Sequence, residues 1–315
     1  MSAPLVSICM PCHNAAPYVG EAIDSVLKQS WSKLEIIIVD DSSTDESVSV
    51  IRSIRDPRIQ LHEVSHRNAA KTRNAAFHHA NGEFIKFFDS DDLLSSGLIE
   101  AQLERVKNSP NSVASCEWGR FYDDDPDTYR SNPESVWIDL PAHEWLVKAW
   151  SRARPMMQPG LFLLPRTLAE RVGPWNEQLS LIDDFEYFSR VLTEAESVFF
   201  TPDERLLYRS GLNNSLSQRK NRIAIESAYH SLNEGTKRLL GIRGDAEARE
   251  SCANLLQDFV HTIYPDHPDL RKKLNSEIQA LGGSSLPPDG PPNFQRLRRL
   301  IGWQAARRVE RLVRR

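Results

Sequence analysis

Apolar and polar positions in the first hundred residues alternate between short, mostly apolar runs and longer stretches with one apolar face. The runs at 5–10 and 34–39 are apolar except for Ser7 and Glu35, as in strands that are covered on both faces. Residues 18–29 instead repeat their apolar side chains at the spacing of one helix face. An alternation of strands and helices predicts an α/β fold with a mostly parallel sheet and right-handed crossovers. The predicted strands are 5–10, 34–39, 59–64 and 83–88, and the predicted helices are 18–29, about 42–55, 69–80 and 93–107.

The second half of the chain has a less regular pattern. Strand patterns occur at 113–121, 161–164, 197–200 and 205–208, and helix patterns at 144–151 and 185–192. A run of amphipathic helices follows, and then a stretch rich in Gly, Ser and Pro. We therefore predict an α/β domain over 1–218, a helical extension over 219–281, a linker over 282–293 and a basic amphipathic helix over 294–315.

Three carboxylates, Asp89, Asp91 and Asp92, follow the fourth predicted strand. Like charges this close raise each other's pKa, so a cation is needed to balance them. Asp89 and Asp91 are two residues apart and share one side of an extended segment. Their hard oxygen ligands suit Mg2+ or Mn2+. A solvated acidic turn that caps the next helix is the alternative.

Polar turns follow three of the predicted strands, at 11–14, 40–41 and 89–92. Ligands of parallel sheets bind beyond the carboxyl ends of the strands, and these turns lie along that edge. Three such turns together favour a binding site over three unrelated loops.

Composition narrows the class of protein. With 40% hydrophobic and 26% charged residues, the 315-residue chain resembles an ordinary globular protein. The longest aliphatic run, 36–39, is far shorter than the roughly 20 residues that cross a bilayer. The start of the chain lacks the pattern of a signal peptide, and four cysteines fit a reducing, cytoplasmic location. Cys9 and Cys12 form a CxxC without the second pair that a zinc site requires.

Four stretches, taken in chain order, resemble the family 2 glycosyltransferases. They are VSICMPCHN (6–14), IIIVDDSSTD (36–45), KTRNAA (71–76) and GEFIKFFDSDD (82–92), and the similarity extends over about residues 4–215. The resemblance implies the Rossmann-like GT-A fold. It also implies transfer of a sugar from a nucleotide diphosphate donor, which we take to be a UDP-sugar.

The resemblance also implies roles for particular residues. Asp41 would hold the nucleobase, Arg73 would lie beside the base or phosphate, and Asp89 with Asp91 would form the DXD pair. Within that pair, Asp91 would be the direct ligand of Mn2+ or Mg2+. Pro11 and Asn14, in the first stretch, are assigned to the same nucleotide-sugar site.

Two segments of the second half resemble further parts of the family's site. Residues 181–188, LIDDFEYF, resemble the segment with the general base, which places Asp184 as the base; Asp183 stands where relatives more often have glutamate. An inverting transfer needs such a carboxylate to accept the acceptor's proton. Arg209, followed by Asn214 and Ser215, resembles a stretch near the diphosphate and would pair with phosphate oxygens. A solvated arginine in a surface loop is the alternative for Arg209.

The sequence therefore predicts an inverting, metal-dependent glycosyltransferase. Its acceptor would be a saccharide or lipid-linked saccharide of surface polysaccharide or glycolipid synthesis. Two alternatives remain at this point. One is a phospho-receiver-like signalling module, which also uses acidic residues after a strand to bind Mg2+. The other is a catalytically silent nucleotide-sugar-binding protein.

The predicted tail, 294–315, has a charge unlike that of the rest of the chain. It contains eight arginines and one glutamate, a local charge of +7, whereas the whole chain has a net charge of −4. This composition is typical of a helix that lies peripherally on an anionic membrane, here its inner face. The acidic body of the protein would attract it equally well. No nucleic-acid partner is expected, because one basic helix offers no recognition geometry.

Overall fold

A computed structural model describes residues 3–153, 155–212 and 221–313. Asn214, Ser215 and the predicted domain boundary at 218–219 lie outside the described residues. The chain divides into two compact units: the first comprises 1–145 and 157–238, and the second 146–156 and 239–315.

The first half of the first unit alternates strands and helices in the predicted order. The helix predicted over 93–107 is the exception, since a short strand precedes a helix that begins only at Leu98. Those two strand residues pair with a later strand of the chain, which the local sequence does not show. The elements are β1 (Val6–Cys12), α1 (Val19–Leu27), β2 (Leu34–Asp41), α2 (Ser47–Ser53), β3 (Ile59–Val64), α3 (Ala69–His79), β4 (Phe84–Phe87), β5 (Leu93–Leu94) and α4 (Leu98–Val106).

The later elements complete the first unit and supply the second. A 3-10 helix, Pro159–Leu161, lies between two of them. They are β6 (Ser112–Tyr122), β7 (Asp125–Ser131), β8 (Leu140–Pro141), α5 (Ala142–Trp150), β9 (Leu164–Pro165), α6 (Arg166–Val172), α7 (Asp183–Glu194), β10 (Ser197–Arg209), α8 (Arg222–Ile242), α9 (Ala246–Ile263), α10 (Pro268–Ala280), α11 (Pro292–Ile301) and α12 (Trp303–Val313).

The main sheet has the order β3-β2-β1-β4-β9, and its first four strands are parallel. The apolar runs explain this, because every residue of β2 and nearly all of β1 are buried. The chain adds β2 and β3 on one side of β1 and then crosses to place β4 on the other. Such a reversal opens a crevice at the carboxyl ends of the strands. The predicted α/β fold class is confirmed.

A second sheet, ordered β5-β10-β6-β7, extends the unit. The two strands predicted at 197–200 and 205–208 are one strand, β10, whose pairing with β6 shifts register between Thr201 and Arg205. An aromatic cluster connects β4 to α7: Trp175 stacks on Tyr187 of α7 with ring centroids 4.1 Å apart, and Phe87 of β4 meets both rings edge-on. The cluster fixes α7 beside the end of β4.

Both cysteines of the CxxC are buried free thiols on β1. Burial raises the pKa of each, and that of Cys12 reaches about 12. A thiol that stays protonated is a poor metal ligand or nucleophile, so this pair belongs to the core.

The second unit contains the basic segment as two helices rather than the predicted one, because Gly302 has a φ of 77° and ends α11. One side of this pair packs inward: Phe294 and Ala306 are buried, and Trp303 contacts His261 and Tyr264 at ring distances of 4.7 and 4.8 Å. Its other side exposes four apolar side chains, Leu300, Ile301, Val309 and Leu312. Over the described residues, each helix is too short or too polar to cross a bilayer.

Candidate active site

The loops that follow β1 and β2 are joined by hydrogen bonds at the carboxyl edge of the main sheet. Asn14 has a left-handed backbone (φ 50°), which asparagine tolerates better than most residues. Its amide oxygen accepts a hydrogen bond from Thr44 N–H at 2.8 Å, and its own N–H donates to Ser43 Oγ at 2.8 Å. Pro11 pairs in register with Val39 near the end of β1. Both predicted donor-site residues, Pro11 and Asn14, therefore lie at this edge.

Asp41 orders the loop between β3 and α3. Its carboxylate accepts hydrogen bonds from the backbone N–H groups of His66, Arg67 and Asn68 at 2.6–2.9 Å and from the Thr72 hydroxyl at 3.0 Å. Burial favours a raised pKa, but these donors outweigh it, and the pKa of Asp41 is lowered. Asp41 is thus an ionised group with both oxygens engaged by the loop, and its contact with a nucleobase stays a prediction.

The carboxylates of the acidic motif, residues 89–92, have three different environments. Asp89 accepts hydrogen bonds from Arg73 Nη2 at 2.9 Å and Gln158 Nε2 at 3.2 Å. Asp92 is fully buried and accepts from Gln158 Nε2 at 2.6 Å and from Arg209 N–H at 2.8 Å. The Asp91 carboxylate, in contrast, accepts no hydrogen bond from any side chain in the described part of the chain.

Crowding of these carboxylates shifts their pKa values upward. Burial and then the charge of Asp89 raise the pKa of Asp91 to about 6. Burial and then the charges of Asp91 and Asp89 raise the pKa of Asp92 well above its ordinary value. The motif therefore carries negative charge that its neighbours among the described residues do not fully balance.

This donor set fits a divalent cation that is shared with a phosphate ligand. Among the described residues, no three His, Cys, Asp or Glu side chains are arranged to hold a metal by themselves. Mg2+ and its analogues usually take one or two carboxylates and complete their coordination with phosphate oxygens and water. Asp91, which accepts no side-chain hydrogen bond from the described residues, is the carboxylate that a cation would stabilise most, and Asp89 lies beside it.

Arg73 joins the acidic motif to the N-terminus of α7. Its Nη2 donates to Asp89 and its Nη1 donates to Asp183, both at 2.9 Å, while the guanidinium lies 4.7 Å from the Trp175 ring centroid. Burial alone would lower the pKa of Arg73, but the two carboxylates outweigh it and raise the pKa. Arg73 is therefore a permanent buried cation at the centre of the site, and its contact with base or phosphate stays a prediction.

Asp184 lies in the first turn of α7, next to the carboxylate that Arg73 holds. Ile182, which immediately precedes α7, has a left-handed backbone with φ 49°. Burial, and then the charge of Asp183, raise the pKa of Asp184 to about 7. Its Oδ1 accepts a hydrogen bond only from the adjacent Phe185 N–H among the described contacts, at 2.8 Å. A carboxylate with a pKa near neutrality has the proton affinity that general bases require.

Arg209 is buried and bound to protein groups on every side. Its Nε donates to the Asp91 backbone oxygen at 2.7 Å, and its Nη atoms donate to Asp124 at 2.8 Å and Glu21 at 2.7 Å. The guanidinium also packs 4.6 Å from the Phe121 ring centroid. The alternative of a solvated surface arginine does not hold, since 1% of the side chain is exposed. Arg209 holds the acidic motif against β10, and pairing with phosphate stays a prediction.

Sequence reasoning missed two residues that shape the site, Gln158 and Trp175. Gln158 bridges Asp89 and Asp92, and Trp175 forms the face on which Arg73 lies. The only local signal for Gln158 is one polar residue in the apolar stretch 156–164. Trp175 follows Gly173-Pro174, a pair that indicates only where a helix ends.

The family profile described as Glycosyl transferase family 2 matches residues 7–173, which is more than half of the chain. The chain belongs to glycosyl transferase family 2, a family of glycosyltransferases.

Curated relatives match parts of the chain. EpsJ of Bacillus subtilis, an uncharacterised glycosyltransferase, is 28% identical over 217 residues, which cover 67% of this chain and 62% of EpsJ. WfgD of Escherichia coli, a UDP-Glc:alpha-D-GlcNAc-diphosphoundecaprenol beta-1,3-glucosyltransferase, is 39% identical over 103 residues, 32% of this chain and 41% of WfgD. The chain spans between about two fifths and three fifths of the length of the first curated relatives.

Solved structures share the fold. Residues 1–349 of Staphylococcus aureus TarS in complex with UDP superpose with a TM-score of 0.65 at 15% identity, over 98% of this chain and 91% of that one. The mannosyltransferase PcManGT from Pyrobaculum calidifontis, in complex with GDP-Man and Mn2+, gives a TM-score of 0.53 at 19% identity, over 90% of this chain and 87% of that one. The expected GT-A fold is confirmed.

Arg73→Met is expected to lower the free energy of unfolding by about 3 kcal/mol or more, because it leaves Asp89 and Asp183 close together without their shared cation. Urea denaturation measures this. Arg52→Met is the matched control: its pair with Glu63 is exposed, so the loss should be about 1 kcal/mol or less. Equal losses in the two variants would show that Arg73 does not hold the site together.

Proposed function

We propose that the chain transfers a sugar with inversion from a nucleotide diphosphate donor, a UDP-sugar, to an acceptor hydroxyl. One observation carries the proposal: Arg73 binds Asp89 of the acidic motif and Asp183 beside Asp184, so the acidic motif and a candidate base lie in one site. TarS binds UDP and UDP-GlcNAc, and WfgD is named for a UDP-Glc donor, which supports UDP as the nucleotide.

In this proposal Asp91, with Asp89, holds a Mn2+ or Mg2+ ion, which when bound supplies positive charge to the diphosphate leaving group. Arg73 holds the Asp89 carboxylate in place through a hydrogen bond of 2.9 Å. Asp184 accepts the proton of the acceptor hydroxyl as that oxygen forms its bond to the sugar. The loop that Asp41 orders, together with Pro11 and Asn14, forms the wall against which the nucleotide binds. Arg209 holds the acidic motif in the shape that this needs.

The family assignment removes the signalling-module alternative. A catalytically silent nucleotide-sugar-binding protein is the remaining competitor, and it would bind UDP without releasing it from a UDP-sugar. The name of WfgD, which acts on a diphosphoundecaprenol-linked sugar, supports a lipid-linked saccharide as the acceptor class.

A lipid-linked acceptor would bring the protein to a membrane, and the outward side of α11 and α12 suits one. Leu300 and Leu312 are 81% and 72% exposed, and the same two helices contain the exposed arginines Arg296, Arg299 and Arg308. We propose that this surface lies on anionic lipid, with apolar side chains among the acyl chains and guanidinium groups at the headgroups. The inward side keeps its packing within the second unit.

Asp91→Asn is expected to abolish or greatly reduce release of UDP from a UDP-sugar in Mn2+, and to weaken UDP binding in Mn2+, because a metal ligand loses its charge. Coupled detection of UDP and calorimetry measure the two effects. Asp24→Asn, the same change at an exposed aspartate on α1, should leave both unchanged. Full wild-type turnover in excess chelator would exclude the metal requirement, and UDP binding without any release would favour the silent protein.

Asp184→Asn is expected to lower the rate about 10²- to 10⁴-fold while UDP binding survives, as for loss of a general base. The wild-type rate should rise with pH to a plateau with a midpoint near 7, because only the ionised form accepts a proton. The folded-state pKa is above the unfolded one, so ionisation of Asp184 costs stability as pH rises through about 7, and the variant should not be less stable at pH 8. A crippled Asp183→Asn beside a nearly normal Asp184→Asn would move the base by one residue.

Leu300→Glu/Leu312→Glu is expected to reduce binding to phosphatidylglycerol vesicles about tenfold or more, because each change removes apolar area and adds a repelled charge. Cosedimentation at low salt measures it. Substitution is preferable to deletion of 294–315, since Phe294 and Trp303 pack inward. Ile138→Glu/Ile242→Glu, at exposed isoleucines elsewhere, should keep wild-type binding. Full-length protein that ignores these vesicles would exclude the proposed surface.

A further inference from the structure

Gln158 bridges two carboxylates of the acidic motif, although it belongs to none of the family's sequence stretches identified above. The side chain is buried, with 5% of the residue exposed. Its Nε2 donates to Asp92 Oδ2 at 2.6 Å and to Asp89 Oδ2 at 3.2 Å. Both hydrogens of one amide are therefore directed at the motif.

The orientation of this amide is fixed by its other end. Gln158 Oε1 accepts a hydrogen bond from Gly160 N–H at 2.6 Å and so caps the 3-10 helix. An oxygen used in this way leaves only the NH2 group to face the carboxylates. A Cβ at position 160 would lie 2.9 Å from Gln158 Oε1, so glycine allows the close approach.

A buried network ties the Gln158 loop to the strand that leads into the motif. Gln102 Nε2 donates to the Leu161 backbone oxygen at 2.8 Å, and Lys86 Nζ donates to Gln102 Oε1 at 2.9 Å. Lys86 is on β4, three residues before Asp89. The Gln158 amide and the carboxylates that accept its hydrogen bonds are thus both anchored to β4, and this shared anchor fixes the distances between them.

We infer that Gln158 is a positioning residue that fixes Asp89 and Asp92 and leaves Asp91 as the carboxylate available to a divalent ion; this rests on the proposed function. A neutral amide satisfies oxygen lone pairs without cancelling their negative charge. A lysine or arginine at this position would compete with the cation. Gln158 therefore sets how much a bound metal ion raises the affinity for UDP.

The test measures the affinity for UDP by calorimetry in excess Mn2+ and in EDTA, and takes the ratio of the two affinities. Gln158→Met has a similar length but no donor, and it should reduce this ratio about tenfold or more, as for loss of a group that orients a metal ligand. The affinity in EDTA should stay close to the wild-type value. Gln158→Asn keeps an amide that is one methylene too short to reach both carboxylates, so a smaller reduction is expected.

Gln29 supplies the matched control. It is 6% exposed, and its amide donates to the backbone oxygens of Ser25 and Ser95 and accepts from Ile99 N–H, without touching a carboxylate. Gln29→Met should leave the affinity ratio unchanged. An equal reduction in this variant would attribute the effect to the loss of any buried glutamine and overturn the inference.

The outcomes separate the two levels of the proposal. A wild-type protein with no gain of UDP affinity in Mn2+ overturns the metal dependence and this inference with it. A wild-type gain that both Gln158 variants retain overturns the role of Gln158 alone. If Gln158→Met does not fold, Gln158→Asn decides by the same ratio.

Discussion

The site depends on one buried cation, the guanidinium of Arg73, and on the two carboxylates that it holds. Removing such a group from water is costly unless partners compensate it, and Asp89 and Asp183 do so from two separate parts of the chain. The aromatic cluster under Trp175 gives the guanidinium a face to lie on. Because the buried charge of Arg73 needs both carboxylates for compensation, it holds the end of β4 close to the start of α7.

Negative side chains outnumber positive side chains around the Arg73 guanidinium. Arg73 and Arg209 face Asp89, Asp91, Asp92 and Asp183, and Arg209 is already engaged by Glu21 and Asp124. Within the part of the chain that the structure describes, the other side chain that donates to these carboxylates is Gln158, which is neutral. Negative charge is therefore left over, and the raised pKa values of Asp91 and Asp92 record its energetic cost. A site of this kind is stabilised when a cation arrives with its ligand.

Much of the fold could be predicted because local sequence patterns specify its strands and helices. Mostly apolar runs identify β1 and β2, and the polar turns that follow β1, β2 and β4 mark the edge where Asp41 and Asp89 lie. Contacts between side chains that are distant in sequence produce no local pattern. Gln158 and Trp175 shape the site through such contacts, which the periodicity of the sequence does not reveal. Arg209 was placed near the site by resemblance, but its burial against Glu21 could not be read from spacing. The break at Gly302 was missed because a helical pattern on both sides masked it.

The separation in sequence of the groups that close the site has a consequence for how the chain assembles. Arg73 and Asp183 are 110 residues apart, the Asp91–Arg209 pair is separated by 118, and Glu21 and Arg209 by 188. Pairings this distant close large loops and form late in folding. A nascent chain that has emerged only as far as β6 already contains all four family stretches of the first half, yet of the two carboxylates that bind Arg73 it contains only Asp89 and not Asp183. During synthesis, the recognisable motifs are therefore complete well before the residues that close the site have been added.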